Sequence, residues 1–190
     1  MHFFIPFFFI LCLSSPSYSL DIVKILAAHQ EFNIISSMLQ ASGVSNYVEQ
    51  NLKMEGSFTL FLPVDQAFVD LPRSVALQSL ASDKKTLLLQ GHILNVFYPL
   101  YLLQTSNIPV QATLASNVIG SSFLLNISSV NRTVYLHTGV VEAVITKTVF
   151  DEHRISIFGI SKVLLPVEFY GKKPRAFHSS PPPPPSPPMD

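Results

Sequence analysis

The sequence predicts an α+β domain, and three observations predict it. Apolar residues recur at helical spacing through the first part of the chain, from Ile22 to about His92. From Pro109 onward the pattern shortens to the alternation of strands. Between these regimes, the apolar run Phe58 to Leu62, stopped by Pro63, reads as one buried strand. Helices first and strands later are the pattern of an α+β architecture.

Each element follows from local chemistry. Asp21 can cap a short helix whose apolar face is Ile22, Val23, Ile25 and Leu26. A second helix is expected over residues 31–42, with Phe32, Ile35, Met38 and Leu39 on one side and Gly43 at its C-cap. Residues 44–51 can form a third. After the strand, Asp65 stands where it can cap a helical turn over residues 66–71, closed by Pro72. Ser82 or Asp83 can cap a helix that carries Leu87, Leu88 and Leu89 and ends near His92. Residues 123–127 and 133–136 read as a hairpin around residues 128–132. Residues 139–146 supply a third strand of this group, and residues 155–165 one or two more, ended by Pro166. Asp151 and Glu152, adjacent and followed by His153 and Arg154, read as a solvated turn.

Of the 190 residues, 48% are hydrophobic and 13% charged, ample apolar material for one core without metal or disulfide. Twelve basic residues balance twelve acidic ones, so no net field draws the chain to nucleic acid. Residues 1–19 have the form of a secretory signal: an apolar run from Phe3 to Leu13, then Ser14 to Ser19 with small residues at the cleavage positions. That run is too short to span a bilayer core of about 30 Å. No membrane span is expected elsewhere, and Pro187 to Asp190 carries no lipid-anchor signal. The single cysteine, Cys12, lies inside the signal, so the mature chain has no thiol chemistry. The expected organisation is a signal peptide at 1–19, one domain at 20–171 and a proline-rich tail at 172–190. The tail holds Pro181, Pro182, Pro183, Pro184, Pro185, Pro187 and Pro188, and it should be extended polyproline II.

Two N-glycosylation acceptors, Asn126-Ile127-Ser128 and Asn131-Arg132-Thr133, fall at the hairpin. With a signal peptide ahead of them, modification of at least one is expected, and Asn131 is favoured over Asn126, which can lie inside the strand. Catalysis is not expected. The mature histidines His29, His92, His137, His153 and His178 show no metal-ligand spacing, and there is no G-x-S-x-G elbow or glycine-rich phosphate loop. No cofactor and no metal are expected. His92, ending an apolar helix beside Phe97 and Tyr98, reads as a core or cap residue, and Asp65 as a cap.

The motifs in sequence resemble one family. Thr59 to Phe68 (TLFLPVDQAF) is similar to the T-hydrophobic-F-x-P-x-D-x-A-F pattern of the fasciclin domain, with Thr59, Phe61, Pro63, Asp65, Ala67 and Phe68 on its fixed positions. Residues 134–145 (VYLHTGVVEAVI, containing Gly139) and 161–166 (SKVLLP) resemble its second motif and domain end. Residues 87–94 (LLLQGHIL) correspond to its Tyr-His motif, with Gly91 in place of the aromatic before His92 and, earlier, Val64 in place of a small polar residue. The resemblance, to plant fasciclin-like arabinogalactan proteins, covers about residues 21–171. It implies a wedge of β-strands flanked by N-terminal and central helices, with the motif residues serving mainly to build the fold. It implies a secreted protein of the apoplast or cell wall, acting in adhesion and wall organisation. The partners implied are cell-wall polysaccharides, extracellular glycoproteins or other fasciclin domains. In a plant secretory pathway, serine followed by contiguous proline also resembles the extensin-type module, whose prolines are hydroxylated and glycosylated. A reading of another class, a carrier of a small apolar ligand, follows from the abundance of Phe and Leu and requires a large apolar pocket.

Overall fold

A computed structural model describes residues 20–72, 75, 77–106, 108–119, 123–152 and 154–166. The signal segment 1–19, residues 167–171 and the tail 172–190 lie outside the described residues.

Three helices open the domain: α1 (Ile22–Ala27), α2 (Asn33–Ser42) and α3 (Val44–Lys53). Asp21 caps α1 as expected, its carboxylate accepting from Lys24 N–H at 2.8 Å. Gly43, at φ 72°, takes the left-handed conformation that both ends α2 and starts α3. Then come β1 (Phe58–Pro63), α4 (Asp65–Val69), a 3-10 turn (Leu77–Ser79), α5 (Ser82–Gln90) and β2 (Ile93–Leu94). The second half comprises α6 (Leu100–Thr105), β3 (Gln111–Ala112), α7 (Ser116–Ile119), β4 (Leu124–Val130), β5 (Thr133–His137), β6 (Glu142–Glu152) and β7 (Ile155–Ile160). The strands form one seven-stranded sheet in the order β2-β1-β7-β6-β5-β4-β3. Only β1 and β7 are parallel, with Phe58 beside Ile155 and Pro63 beside Ile160; the other described pairs are antiparallel.

Both parallel strands are buried along their whole length, which explains their continuous apolar sequence. Phe58, Leu60, Leu62, Ile155 and Ile157 face the core beneath α1, α2 and α3, while Phe61, Phe158 and Ile160 face a second core closed by Leu103 of α6. At Gly159 the ring of Phe32 presses so close that a Cβ would lie 2.9 Å from its Cζ, so the sheet admits only glycine there without a shift.

Several expectations are corrected. Asp65 does not cap the helix it begins; α4 has Val64 at its N-cap and no side-chain cap bond. The carboxylate instead reaches α2, accepting from Ile34 N–H at 2.8 Å and from Asn33 N–H at 3.2 Å and Nδ2 at 3.0 Å. α2 needs this because its own N-cap, Phe32, has no acceptor. α5 likewise begins on Ala81, so neither Ser82 nor Asp83 is its cap. Gly139 is not in a strand: at φ 87° it makes the turn between β5 and β6, and pairing resumes only at Glu142. Asp151 and Glu152 belong to β6 and not to a solvated turn; two register shifts let this long strand follow β7. The hairpin turn is tighter than expected, with Asn131 and Arg132 both at positive φ between β4 and β5 (51° and 64°), the signature of a type I′ turn. The short elements α6, α7, β2 and β3 have no clear period in the sequence.

Candidate functional site

Of the family-pattern residues, Thr59, Phe61, Pro63, Ala67 and His92 are buried about β1, α5 and the last described segment, whereas Asp65 turns to α2, Phe68 to an open groove and Gly139 to the turn after β5. The hydroxyl of Thr59 donates to Val96 O at 2.7 Å and accepts from Tyr98 N–H at 2.8 Å, while Ser156 Oγ donates to Tyr98 O at 2.7 Å. Two buried hydroxyls therefore satisfy the backbone of the loop that leaves the sheet after β2. Phe61 stacks on Phe158 with ring centroids 6.0 Å apart. Pro63 is buried at the end of β1, and Ala67 is buried against Leu88, Val163 and Leu165.

His92 is buried and holds three segments together. Its Nδ1 lies 2.8 Å from Leu88 O, and its Nε2 accepts from Leu164 N–H at 2.9 Å. Since Nε2 accepts, the proton sits on Nδ1 and is donated to Leu88, which fixes the neutral tautomer. Its backbone carbonyl accepts from Phe61 N–H at 2.9 Å. Burial pushes the His92 pKa down to about 4, against a smaller upward pull from the Leu88 carbonyl. Beside it, a Cβ on Gly91 would lie 2.8 Å from Phe123 Cδ1. The Phe123 ring thus fills the space that a side chain at position 91 would need.

These groups are buried, and the exposed features lie elsewhere. Phe68 is half-buried and lines an open groove of about 650 Å³ between α2, α4 and α5. Met38, Leu71, Val75 and Leu89 give it apolar walls, and Ile34 and Val69, 39% and 72% exposed, stand at its rim. Lys85 is the charged residue among the described lining, with its ammonium on Gln78 O at 3.2 Å. Sequence reasoning missed this groove because three separated segments build it. The exposed valine ending α4 is its one local signal.

A second open surface is the outer face of β4, β5 and β6. Strand alternation turns Leu125, Ile127, Val134 and Leu136 into the core and leaves Asn126, Ser128, Tyr135 and His137 outward. Asn126 is exposed mid-strand and Asn131 is exposed at the turn. Among the described residues, no group of three or more His, Cys, Asp or Glu could hold a metal ion. No helix among them is long and apolar enough to cross a membrane.

Comparison with known proteins agrees with this architecture. The fasciclin domain family matches residues 30–166. Fasciclin-like arabinogalactan protein 4 of Arabidopsis thaliana is 42% identical over 171 residues, which cover 89% of this chain and 40% of that protein. Fasciclin-like arabinogalactan protein 11 of the same plant is 30% identical over 158 residues, covering 82% of this chain and 63% of that protein. The chain therefore spans less than two thirds of the length of either relative. Among solved structures, the FAS1 domain pair of the insect cell adhesion molecule fasciclin I matches with a TM-score of 0.55. That likeness covers 79% of this chain and 52% of that one at 14% identity, and it concerns the fold. With its α+β sheet and motif residues in these places, the chain belongs to the fasciclin domain family.

Proposed function

We propose that the protein is a secreted wall or matrix glycoprotein of the adhesive class, which engages a protein partner through the groove of α2, α4 and α5. The groove carries this reading: an apolar-lined surface of about 650 Å³ with an exposed aliphatic rim is the kind of patch that marks an interaction site. Ser37, Ser42, Gln78, Ser82 and Lys85 could pair a few hydroxyls of a polysaccharide, but most of the lining is apolar and would leave the rest without partners. An extracellular glycoprotein or a second fasciclin domain, offering an apolar side chain, matches the lining better. In this reading residues 1–19 direct secretion to the apoplast or wall. Glycans on Asn126 and Asn131, and on hydroxylated prolines of the tail, solubilise and space the domain.

The test is association of the secreted, glycosylated protein with itself, with immobilised wall glycoproteins and with a panel of wall polysaccharides. Saturable association with a protein, lost in Val69→Glu and Ile34→Glu at unchanged Tm, is expected. Binding confined to polysaccharide and indifferent to both substitutions would overturn the groove as the contact surface. The carrier reading draws on the same groove, whose volume lies in the ordinary range for small-molecule sites. It requires uptake of an apolar fluorescent probe that filling the floor, by Met38→Phe, displaces.

A further inference from the structure

The outer sheet face carries an arrangement that the adhesive reading does not use. Asn126 of β4 stands directly opposite His137 of β5, and Ser128 stands opposite Tyr135. The Tyr135 and His137 rings lie nearly parallel, 18° apart with centroids separated by 6.4 Å. The imidazole is held from both neighbouring strands: Ser128 Oγ is 3.1 Å from Nε2, and Glu142 Oε2 of β6 is 3.4 Å from Nδ1. Two nearly parallel rings, the imidazole anchored on both sides, therefore share the outer face with the side chain of a glycosylation acceptor.

We propose that this pair is a stacking platform for the N-linked glycan on Asn126, whose first N-acetylglucosamine residues lie along Tyr135 and His137. A pyranose presents an apolar face of C–H bonds and an equatorial belt of hydroxyls. The first matches a π-face, and the second matches polar neighbours such as Ser128 and Glu142. Directly opposite residues in an antiparallel pair have Cβ atoms about 4.5–5.5 Å apart, and diagonal ones about 7–8 Å. Asn126 is opposite His137 and diagonal to Tyr135, so a sugar anchored at Asn126 meets the pair from its first residues outward. Leu124, 39% exposed two residues before Asn126 on the same face, extends the apolar surface on the other side. Asn131 has no such support, because the turn carries it past the end of the strands and its neighbour is Arg132. The two acceptors thus differ in kind: the glycan of Asn126 covers sheet, and that of Asn131 projects into water.

The proposal rests on the secreted, glycosylated reading, and its test separates the two. The full chain is secreted from a host that leaves high-mannose glycans, and occupancy at Asn126 is read by peptide mass spectrometry. Thermal unfolding is then compared for the intact glycoprotein, for the form trimmed enzymatically to one N-acetylglucosamine, and for Asn126→Gln. Each is measured with Tyr135 and with Tyr135→Thr, a strand-compatible replacement; His137→Thr serves as a second background. We expect the trimmed form to keep its Tm and Asn126→Gln to lose about 2–4 °C. That loss should vanish in either threonine background, and Asn131→Gln should show no such coupling. An occupied Asn126 whose removal costs the same with or without Tyr135 and His137 overturns the platform alone. A bare Asn126 in secreted protein overturns the platform together with the glycosylation it rests on.

Discussion

The imidazole of His92 is neutral in the folded protein because burial outweighs the carbonyl that favours its proton, and its pKa falls from 6.5 to about 4. The unfolded chain takes up a proton near pH 6.5 and the folded one only near pH 4. The contribution is therefore complete above pH 6.5 and is lost as the pH falls through that window. The full difference is on the order of 3 kcal/mol. We expect His92→Gln to be less stable than wild type at pH 7. The gap in urea midpoints should narrow steadily between pH 6.5 and pH 4; a constant gap would show that His92 does not titrate there. The sequence marks this histidine as a core or cap residue because it ends an apolar helix. It does not disclose Leu164 as the donor to Nε2, 72 residues away. The close approaches of Phe32 to Gly159 and of Phe123 to Gly91 are equally invisible in the sequence, since each joins segments far apart in the chain.

At the scale of elements, helix starts are secured from a distance. Among the described helices, Asp21 is the side-chain cap that falls where the sequence indicates. Glu49 of α3 also accepts from Ile22 N–H at 2.8 Å, Asp65 caps α2, and Asp151 of β6 accepts from Leu100 N–H of α6 at 2.9 Å. Each carboxylate binds two elements, because the donors at a helix N-terminus accept any suitably placed oxygen, local or not. Asp65 adds a backbone link, its N–H donating to Glu31 O at 2.7 Å. We expect Asp65→Ala to destabilise the domain by about 1–2 kcal/mol and Asp65→Asn by less, since one acceptor remains. Urea midpoints at constant m-value report this. An unchanged midpoint in Asp65→Ala would remove the capping role. Local capping rules identify the residue and its chemistry, but the partner helix lies 32 residues upstream.

At the scale of the whole molecule, the parallel pairing of β1 with β7 decides the architecture. It brings Thr59 against Ser156 across 97 residues and forms the wall between the two main cores. Neither core is closed without β7, so helices and strands should unfold together. A chain ended after Glu152 is expected to show no cooperative urea transition and a collapsed near-UV circular dichroism. A surviving cooperative transition would mean that the helical half folds alone. The groove depends on the same closure, because Val163 and Leu165 pack beneath Phe68 and Leu71 at its edge.

What the sequence determined by itself is the α+β class, the first three helices, the buried run of β1, the hairpin of β4 and β5, and the family, through Thr59 to Phe68 and the segments after it. These depend on periodicity, capping and turn chemistry over a few adjacent residues, which the linear order records. Tertiary structure alone decided that Asp65 serves α2, that Asp151 serves α6, that Phe123 fills the space over Gly91, and that Asn126 stands beside Tyr135 and His137. Each of those depends on strand register or on contact between distant segments. A hydrogen bond or a packed ring is indifferent to how far apart in sequence its partners are, and so it leaves no local trace.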